Sequence, residues 1–164
     1  MNLWNYYNNK SNQLKYPDLN SHSHEKEIAK TNSKWAFEYV SKHGKDEDLE
    51  PAIAKYAMYS FLYAKDILKN KPFKLGEPAI AKHDGYSYEY ANQVLKGPFK
   101  LGEPTIAKHD GWYSYKYALY VLKGPFPLGE PTIAKNEFYS KTYTQDILKK
   151  DFYLDGKLIC KYER

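Results

Sequence analysis

The chain has 164 residues, a formal net charge of +5 and 42% hydrophobic residues. This length allows one compact domain or one short repeat array, and the composition excludes a wholly disordered chain. Cys160 is the single cysteine, which excludes an internal disulfide, and no run approaches the roughly 18 apolar residues of a membrane-spanning helix. We therefore expect a soluble, cytoplasmic protein that does not act at a membrane.

Residues 1–24 are set apart by composition, with six asparagines and the aromatic residues Trp4, Tyr6 and Tyr7. We expect this segment to form either a capping helix or an arm ahead of the repeats. His22 and His24 are close enough in sequence to share a metal ion. Because no further ligand follows at a familiar spacing, we expect no metal site there.

One motif of about 26 residues recurs from residue 25 onward. Its two longest copies, at 76–85 and 102–111, read Gly-Glu-Pro-x-Ile-Ala-Lys-His-Asp-Gly. We divide the chain into an N-terminal segment, 1–24, and a helical repeat domain, 25–164. The copies begin near Glu25, Glu50, Glu77, Glu103 and Glu130, and a partial sixth copy begins near Gly156.

Each copy carries the start and stop signals of two helices. Glu-Pro suits the first turn of a short helix of about two turns, since the helix dipole favours the acid and proline needs no amide partner there. The His-Asp-Gly turn follows, and its aspartate is expected to cap the second helix. In the third copy the second helix covers 86–96, Gly97 is the expected left-handed glycine after its end, and Pro98 prevents continuation.

The second helices carry an apolar stripe at helical spacing. Its inward positions hold a tyrosine and, four residues later, an aliphatic residue, while a column of small residues allows a neighbour to approach closely. A set of aromatic residues flanks the stripe and is expected to be half exposed, as are Phe61, Tyr88 and Tyr115; the flanking residues are Trp35, Tyr59, Tyr86, Tyr113 and Tyr139. The inward tyrosines are Tyr39, Tyr63, Tyr90, Tyr117 and Tyr143, the aliphatic residues are Ile67, Val94, Val121 and Ile147, and the small residues are Ala36, Ser60, Ser87, Ser114 and Ser140.

One copy cannot bury this stripe alone, whereas copies stacked side by side can. The predicted fold is therefore all-α, an α-solenoid of about five tandem helix-turn-helix repeats with degenerate end caps. Cys160 takes the alanine position of the motif in the partial copy and is expected to be a small core residue. Ile53, Ile80, Ile106 and Ile133 are the expected core contacts of the first helices.

The repeat continues as Tyr-Ser-Tyr-x-Tyr-Ala-x-x-Val-Leu-Lys-Gly-Pro-Phe, and in this form it resembles the tandem short helical repeats of predicted proteins from tailed phages and large DNA viruses. The clearest copies run from Gly76 to Gly97 and from Gly102 to Gly124, and the likeness covers roughly 25–161. That largely uncharacterised family implies a viral origin, hence a host cytoplasm, and an α-helical array. It implies no activity and no functional residues.

Candidate catalytic residues are few. The pairs His83-Asp84 and His109-Asp110 are similar to the His-Asp pair of metal phosphohydrolases, but they repeat about 26 residues apart in turns, where equivalent side chains do not converge. Phosphate loops and nucleophile elbows do not occur, and Cys160 has no histidine at a familiar spacing. We therefore expect neither enzymatic activity nor a cofactor.

A column of lysines ends the first helices and favours two interpretations. It can contact phosphates of single-stranded RNA or DNA, with tyrosine faces stacking on the bases, or acidic groups of a protein. Alternatively, it only complements the helix dipole and keeps the surface soluble. The near absence of arginine, with Arg164 alone, argues against nucleic acid. The candidate contacts are Lys55, Lys82, Lys108 and Lys135.

The outward columns of the second helices differ between copies while the inward columns stay the same. Such variation is typical either of a specific binding surface or of drift. Leu62, Leu119 and Tyr120 are apolar where the pattern predicts solvent. We therefore predict a protein-binding module, which, given the viral resemblance, would engage or inhibit a host factor. Nucleic-acid binding is the first alternative function, and a structural role in the virion is the second. The predicted partner contacts are Leu62, Glu89, Gln93, Lys116, Leu119 and Tyr120.

Overall fold

The structure is a computed structural model, and it describes residues 21–109 and 111–163. The predicted N-terminal cap or arm therefore lies outside the described residues except for 21–24, which belong to the first helix. The chain divides into two compact units, an N-terminal unit that ends at Ala79 and a C-terminal unit that begins at Ile80.

The N-terminal unit is built from short helices joined by tight turns. Two single turns of 3-10 helix, Glu47–Leu49 and Lys74–Gly76, lead into the first helices of the second and third copies. The α-helices are α1 Ser21–Ala29, α2 Ser33–His43, α3 Glu50–Ile53 and α4 Ala57–Leu62, followed by α5 Glu77–Ile80, which spans the boundary between the units.

The C-terminal unit continues the same alternation and ends in a β-hairpin. A turn of 3-10 helix, Pro127–Gly129, again leads into a first helix. The elements are α6 Asp84–Glu89, α7 Glu103–His109, α8 Gly111–Lys116, α9 Glu130–Ile133, α10 Glu137–Tyr143, β1 Phe152–Leu154 and β2 Lys157–Cys160.

Three of the first helices are shorter than the two turns predicted. α3, α5 and α9 have four residues each, whereas α7 has seven and α1, which contains Glu25, has nine. The α-helical bonding ends one residue after Ile53 and Ile133, because the next amides bond to carbonyls three residues back, as Lys55 does with Ala52 and Lys135 with Thr132.

The second helices end in a way that the sequence did not indicate. In the second to fifth copies they widen to a π-helix after one and a half to two turns of α-helix, and a lysine in the left-handed conformation follows in each, at Lys69, Lys96, Lys123 and Lys149. The prediction of Gly97 as the left-handed residue was wrong by one position, because the amides of Lys96 and Gly97 both donate to the carbonyl of Ala91 across the wider turn. The π segments are Tyr63–Ile67, Tyr90–Leu95, Tyr117–Leu122 and Thr144–Leu148.

The caps of the second helices also differ from the prediction. Asp84 is the first residue of α6, and the extended residue before it, His83, holds the cap position. Asp110, the equivalent residue of the next copy, lies outside the described residues. A side-chain cap does occur in the fifth copy, where the Asn136 side chain accepts a hydrogen bond from the Tyr139 amide at 3.1 Å.

The inward columns are confirmed. All five inward tyrosines, the four isoleucines of the first helices and the small column are buried, while Val94 is the one buried member of the aliphatic column and Ile67, Val121 and Ile147 are half-buried. The expectation of half-exposed side chains at Phe61, Tyr88 and Tyr115 was wrong, because all three are buried.

The partial sixth copy does not form a helix. Its residues make the turn and second strand of the hairpin, in which Tyr153 pairs with Leu158 and Phe152 with Cys160. Asp155 and Gly156 at the turn both have positive φ values, +50° and +77°. Cys160 is half-buried in β2 and is therefore not the core residue expected at that position.

Most described residues lie in helices, and the hairpin is a small two-stranded sheet, so the fold is all-α in the main. Among the residues that the structure describes, none belongs to a helix with the length and apolar run that crossing a bilayer requires.

Candidate functional site

Glycines and serines fit consecutive copies together in the C-terminal unit. A Cβ atom placed on Gly129 would lie 2.4 Å from the Phe126 ring and 2.8 Å from the Cβ of Ser114, and one on Gly102 would lie 2.7 Å from the Ser87 hydroxyl oxygen. The serine hydroxyls donate to carbonyls of their own first helices, Ser114 to Ile106 at 3.0 Å. The side chains of this column must therefore be small, because a glycine of the next copy packs against them.

Buried tyrosines connect the linkers with the first helices. The Tyr117 hydroxyl donates to the Glu103 carboxylate at 2.9 Å and accepts from the Phe99 amide at 2.8 Å. Tyr143 makes the equivalent bonds, to the Glu130 carboxylate and from the Phe126 amide, both at 2.8 Å. Burial, opposed by the bond from Phe99 and reinforced by Glu103, raises the pKa of Tyr117 well above its usual range. These hydrogen bonds hold each linker to the first helix that follows it, and they use the hydroxyl, carboxylate and amide groups inside the protein.

The glycine that starts a second helix receives a tyrosine of the next copy. A Cβ atom on Gly85 would lie 3.0 Å from the Tyr113 hydroxyl, and one on Gly111 would lie 3.0 Å from the Tyr139 ring. In this way Tyr139 is laid across the start of α8, next to Trp112.

Three aromatic side chains form a continuous row at the starts of α8 and α10. The Tyr139 ring centroid is 5.9 Å from that of Trp112 and 5.6 Å from that of Phe138. Trp112 is 37% exposed and Phe138 is 65% exposed. We call Trp112, Tyr139 and Phe138 the aromatic row.

The inner side of the aromatic row is supported by buried groups. The Tyr115 ring lies nearly parallel to that of Tyr139, at 6.5 Å between centroids, and its hydroxyl donates to Asp146 at 2.7 Å. Burial, followed by the bond to Asp146, raises the pKa of Tyr115 to about 12. The row therefore rests on a tyrosine that stays neutral at physiological pH.

One lysine lies against the row. The Lys116 ammonium is 4.8 Å from the centroid of Trp112 and 4.9 Å from that of Tyr88, so two rings flank the charge. At such distances a cation is attracted by the ring quadrupole. Lys116, one of the predicted partner contacts, thus belongs to the same surface as the aromatic row.

The predicted lysine column is exposed, and its members differ from the lysines of the linkers. Lys74 and Lys100 bind Glu77 and Glu103 at 2.9 and 3.0 Å. Within the described part of the chain, the column lysines make no ion pair, and the same holds for Lys116. The column is Lys55, Lys82, Lys108 and Lys135.

The other predicted partner contacts differ in their immediate surroundings. Glu89 is bound by the side chain of Gln93, and Leu119 is half-buried in a groove with Asp146. Tyr120 is 54% exposed, and Leu62 is half-buried in the N-terminal unit.

Trp112, Phe138 and Tyr139 were missed as site residues. A signal was available: counted back from the inward tyrosine, Trp112 and Phe138 stand where the second copy has Met58 and the third copy has Gly85, so the column varies and is apolar in three copies. The closeness of the three rings depends on Tyr139 reaching across to the previous copy, which a wheel of one helix does not reveal.

The catalytic and metal candidates stay apart. His83 lies 3.4 Å from Asp84, and its ring is tilted by 51° against that of Tyr86; the side chain of His22 lies outside the described part of the structure. No three histidine, cysteine or acidic side chains converge as metal ligands among residues 21–109 and 111–163.

Comparisons of the chain with family models, with curated proteins and with solved structures gave no match. The resemblance to viral repeat proteins therefore stays a prediction.

Proposed function

We propose that the chain is a non-enzymatic helical repeat protein that binds another protein through the aromatic row. The observation that carries this proposal is the exposure of Trp112 and Phe138 beside each other, on a scaffold whose other large rings are mostly buried. Aromatic side chains held rigidly at a surface are the commonest anchors of protein interfaces. Because the row is fixed by Tyr139 and Tyr115, little conformational entropy would be lost on binding.

We also propose that the copies form an α-solenoid. Support comes from contacts that recur one copy further along the C-terminal unit, from Ser87 with Gly102 to Ser114 with Gly129, and from Gly85 with Tyr113 to Gly111 with Tyr139. A stacked array forms from repeats that each make the same contacts with the next repeat.

The proposed place of action is the cytoplasm. If the resemblance to viral repeats is correct, this is a host cytoplasm and the partner is a host protein whose surface the row would occupy. This part of the proposal depends on the resemblance alone.

The test is site-specific photo-crosslinking in a lysate of the cells that make the protein. A benzophenone amino acid replaces Phe138 in one sample and Tyr153, an exposed tyrosine of the hairpin, in another. We expect a discrete crosslinked protein from position 138 that position 153 does not give. Equal, diffuse labelling from both positions would contradict binding at the row.

Single-stranded nucleic acid is a second candidate partner, since Lys108 and Lys135 are exposed close to Trp112 and Phe138. Retention on single-stranded DNA at low salt, with the steep loss on adding salt that phosphate contacts cause, would favour it. Retention that is absent, or that survives replacement of the row, would count against it.

A further inference from the structure

Lysines surround the aromatic row, and this determines which partner would fit it. Lys108 is four residues before Trp112, and Lys135 is three residues before Phe138. At no more than about 3.6 Å per residue, chain connectivity keeps each lysine near its aromatic neighbour. Lys116 lies against Trp112, so one cation contacts the row, and two more are exposed within three or four residues of it along the chain.

The charge of these lysines is not neutralised within the described part of the molecule. On the linker side each comparable lysine has its own carboxylate, as Lys100 has Glu103 at 3.0 Å. Two described carboxylates line a groove with Lys135: Glu137 is exposed and makes no ion pair with it, and Glu163 is bound by Lys141 at 3.5 Å. The surface is therefore apolar in its centre and positive at its rim.

We infer that the aromatic row takes an acidic protein segment that carries a large apolar side chain between its carboxylates. The apolar side chain would lie between Trp112 and Phe138, and the carboxylates would lie near Lys108 and Lys135. This inference rests on the proposed function and adds the chemistry of the partner.

The spacing of the acidic residues follows from the repeat. Lys108 and Lys135 hold the same position in consecutive copies, and packed helices lie roughly 8–10 Å apart. An extended segment covers that distance with about three residues, at about 3.3 Å each. The sequence pattern expected of the partner is therefore acid, two residues that include a large apolar one, and acid.

A peptide fits this surface better than a nucleic acid does. The rings are tilted, by 34° between Trp112 and Tyr139 and by 72° between Phe138 and Tyr139, so they do not offer parallel faces for successive bases. Arginine, the preferred residue for phosphate forks, does not occur from residue 1 to residue 163.

A displayed library of random 12-residue peptides tests the inference on the full chain. Peptides are selected separately on the wild-type protein and on Phe138→Ser, and their enrichments are compared. Because Phe138 is exposed, we expect the variant to fold. We expect the wild type to enrich peptides in which two acidic residues lie three apart around an aromatic or large aliphatic residue. Enrichment of neutral or basic peptides, or the same enrichment on the variant, would overturn the inference.

Synthetic versions of the best peptide separate charge from apolar contact by fluorescence anisotropy. Lys108→Gln with Lys135→Gln should weaken binding about three- to thirtyfold, as two exposed charge pairs allow, and Phe138→Ser about tenfold. The control, Lys150→Gln with Lys157→Gln, makes the same change in net charge at exposed lysines of the hairpin region and should leave the affinity unchanged.

The outcomes distinguish the inference from the proposed function. If a neutral analogue of the peptide binds equally well, or if the control weakens binding as much, the acidic chemistry is wrong while protein binding stands. If a single-stranded oligonucleotide displaces the peptide and binds more tightly, both are overturned.

Discussion

The linker side and the aromatic row lie on the same copies of the C-terminal unit but use their side chains differently. On the linker side, the residues are nearly the same from copy to copy, and the polar groups find partners, as Lys100 does with Glu103 and Tyr117 does with Glu103 and Phe99. At the row, glycine, tryptophan and phenylalanine replace one another, and the rings reach solvent. In these two regions, the residues that stay the same pack against one another, and the residues that differ reach solvent.

The largest effect on stability is expected when a Cβ atom is added at a close contact on the linker side. Gly129→Ala places a Cβ atom 2.4 Å from the Phe126 ring, so we expect a loss of about 1–3 kcal/mol in the free energy of unfolding, measured by urea titration. The matched control is Gly124→Ala, whose Cβ atom would meet only the Leu122 carbonyl, at 3.9 Å, and which should be neutral or slightly stabilising. Equal effects of the two substitutions would contradict the close contact between copies.

Removing one buried hydroxyl should have the next largest effect. Tyr117→Phe deletes both the bond to Glu103 and the bond from the Phe99 amide, and leaves that amide buried without its acceptor. We expect a loss of about 1–2 kcal/mol by urea titration, against almost none for Tyr120→Phe at an exposed position. A Tyr117→Phe variant as stable as the wild type would show that the hydroxyl does not connect the copies.

The pH dependence of the free energy of unfolding tests the same buried tyrosine hydroxyls without adding atoms to the core. The pKa of Tyr117 is raised above its ordinary value of 10.0 mainly by burial, so the folded state holds this proton more firmly than the unfolded state does. The resulting stability is complete below pH 10 and is lost as the pH rises above it. We expect unfolding free energy to fall less steeply above pH 10 in Tyr117→Phe than in the wild type; an identical slope would contradict this account.

A smaller effect is expected where the second helices end. Lys123 has a φ of +53°, a conformation that costs a side-chain-bearing residue roughly 1 kcal/mol and costs glycine little. Lys123→Gly should therefore raise the unfolding free energy by up to about 1 kcal/mol. Lys108→Gly, inside α7, should lower it by a similar amount, so that a loss in both variants would argue against strain at Lys123.

The repeat, its helical character and the inward tyrosines could be predicted because they follow from spacing within one helix. The widening to a π-helix could not, since it depends on which carbonyl an amide such as that of Gly97 reaches. Tyr88 and Tyr115 were placed at the surface for a similar reason. A wheel of one helix omits the rings and charges of a neighbouring copy, such as Tyr139 beside Tyr115.

Two further features, the hairpin and the aromatic row, had signals in the sequence that the repeat pattern obscured. Asp155-Gly156 is a common hairpin turn, but the spacing of Gly156 from the earlier glycines favoured a sixth helical copy. The aromatic row had a partial signal in Trp112 and Phe138, whereas the predicted contacts Leu62 and Leu119 are half-buried. Apolar character at an outward position was therefore a weaker guide than variation at a helix start.

The most direct test of the central claim is to measure both properties of Phe138→Ser: its urea unfolding midpoint and its affinity for the selected acidic peptide. Because Phe138 is 65% exposed, we predict a free energy of unfolding within about 0.5 kcal/mol of the wild type, together with about tenfold weaker binding. A midpoint that falls with the affinity would mean that the row is part of the packing between copies, and an unchanged affinity would mean that binding occurs elsewhere.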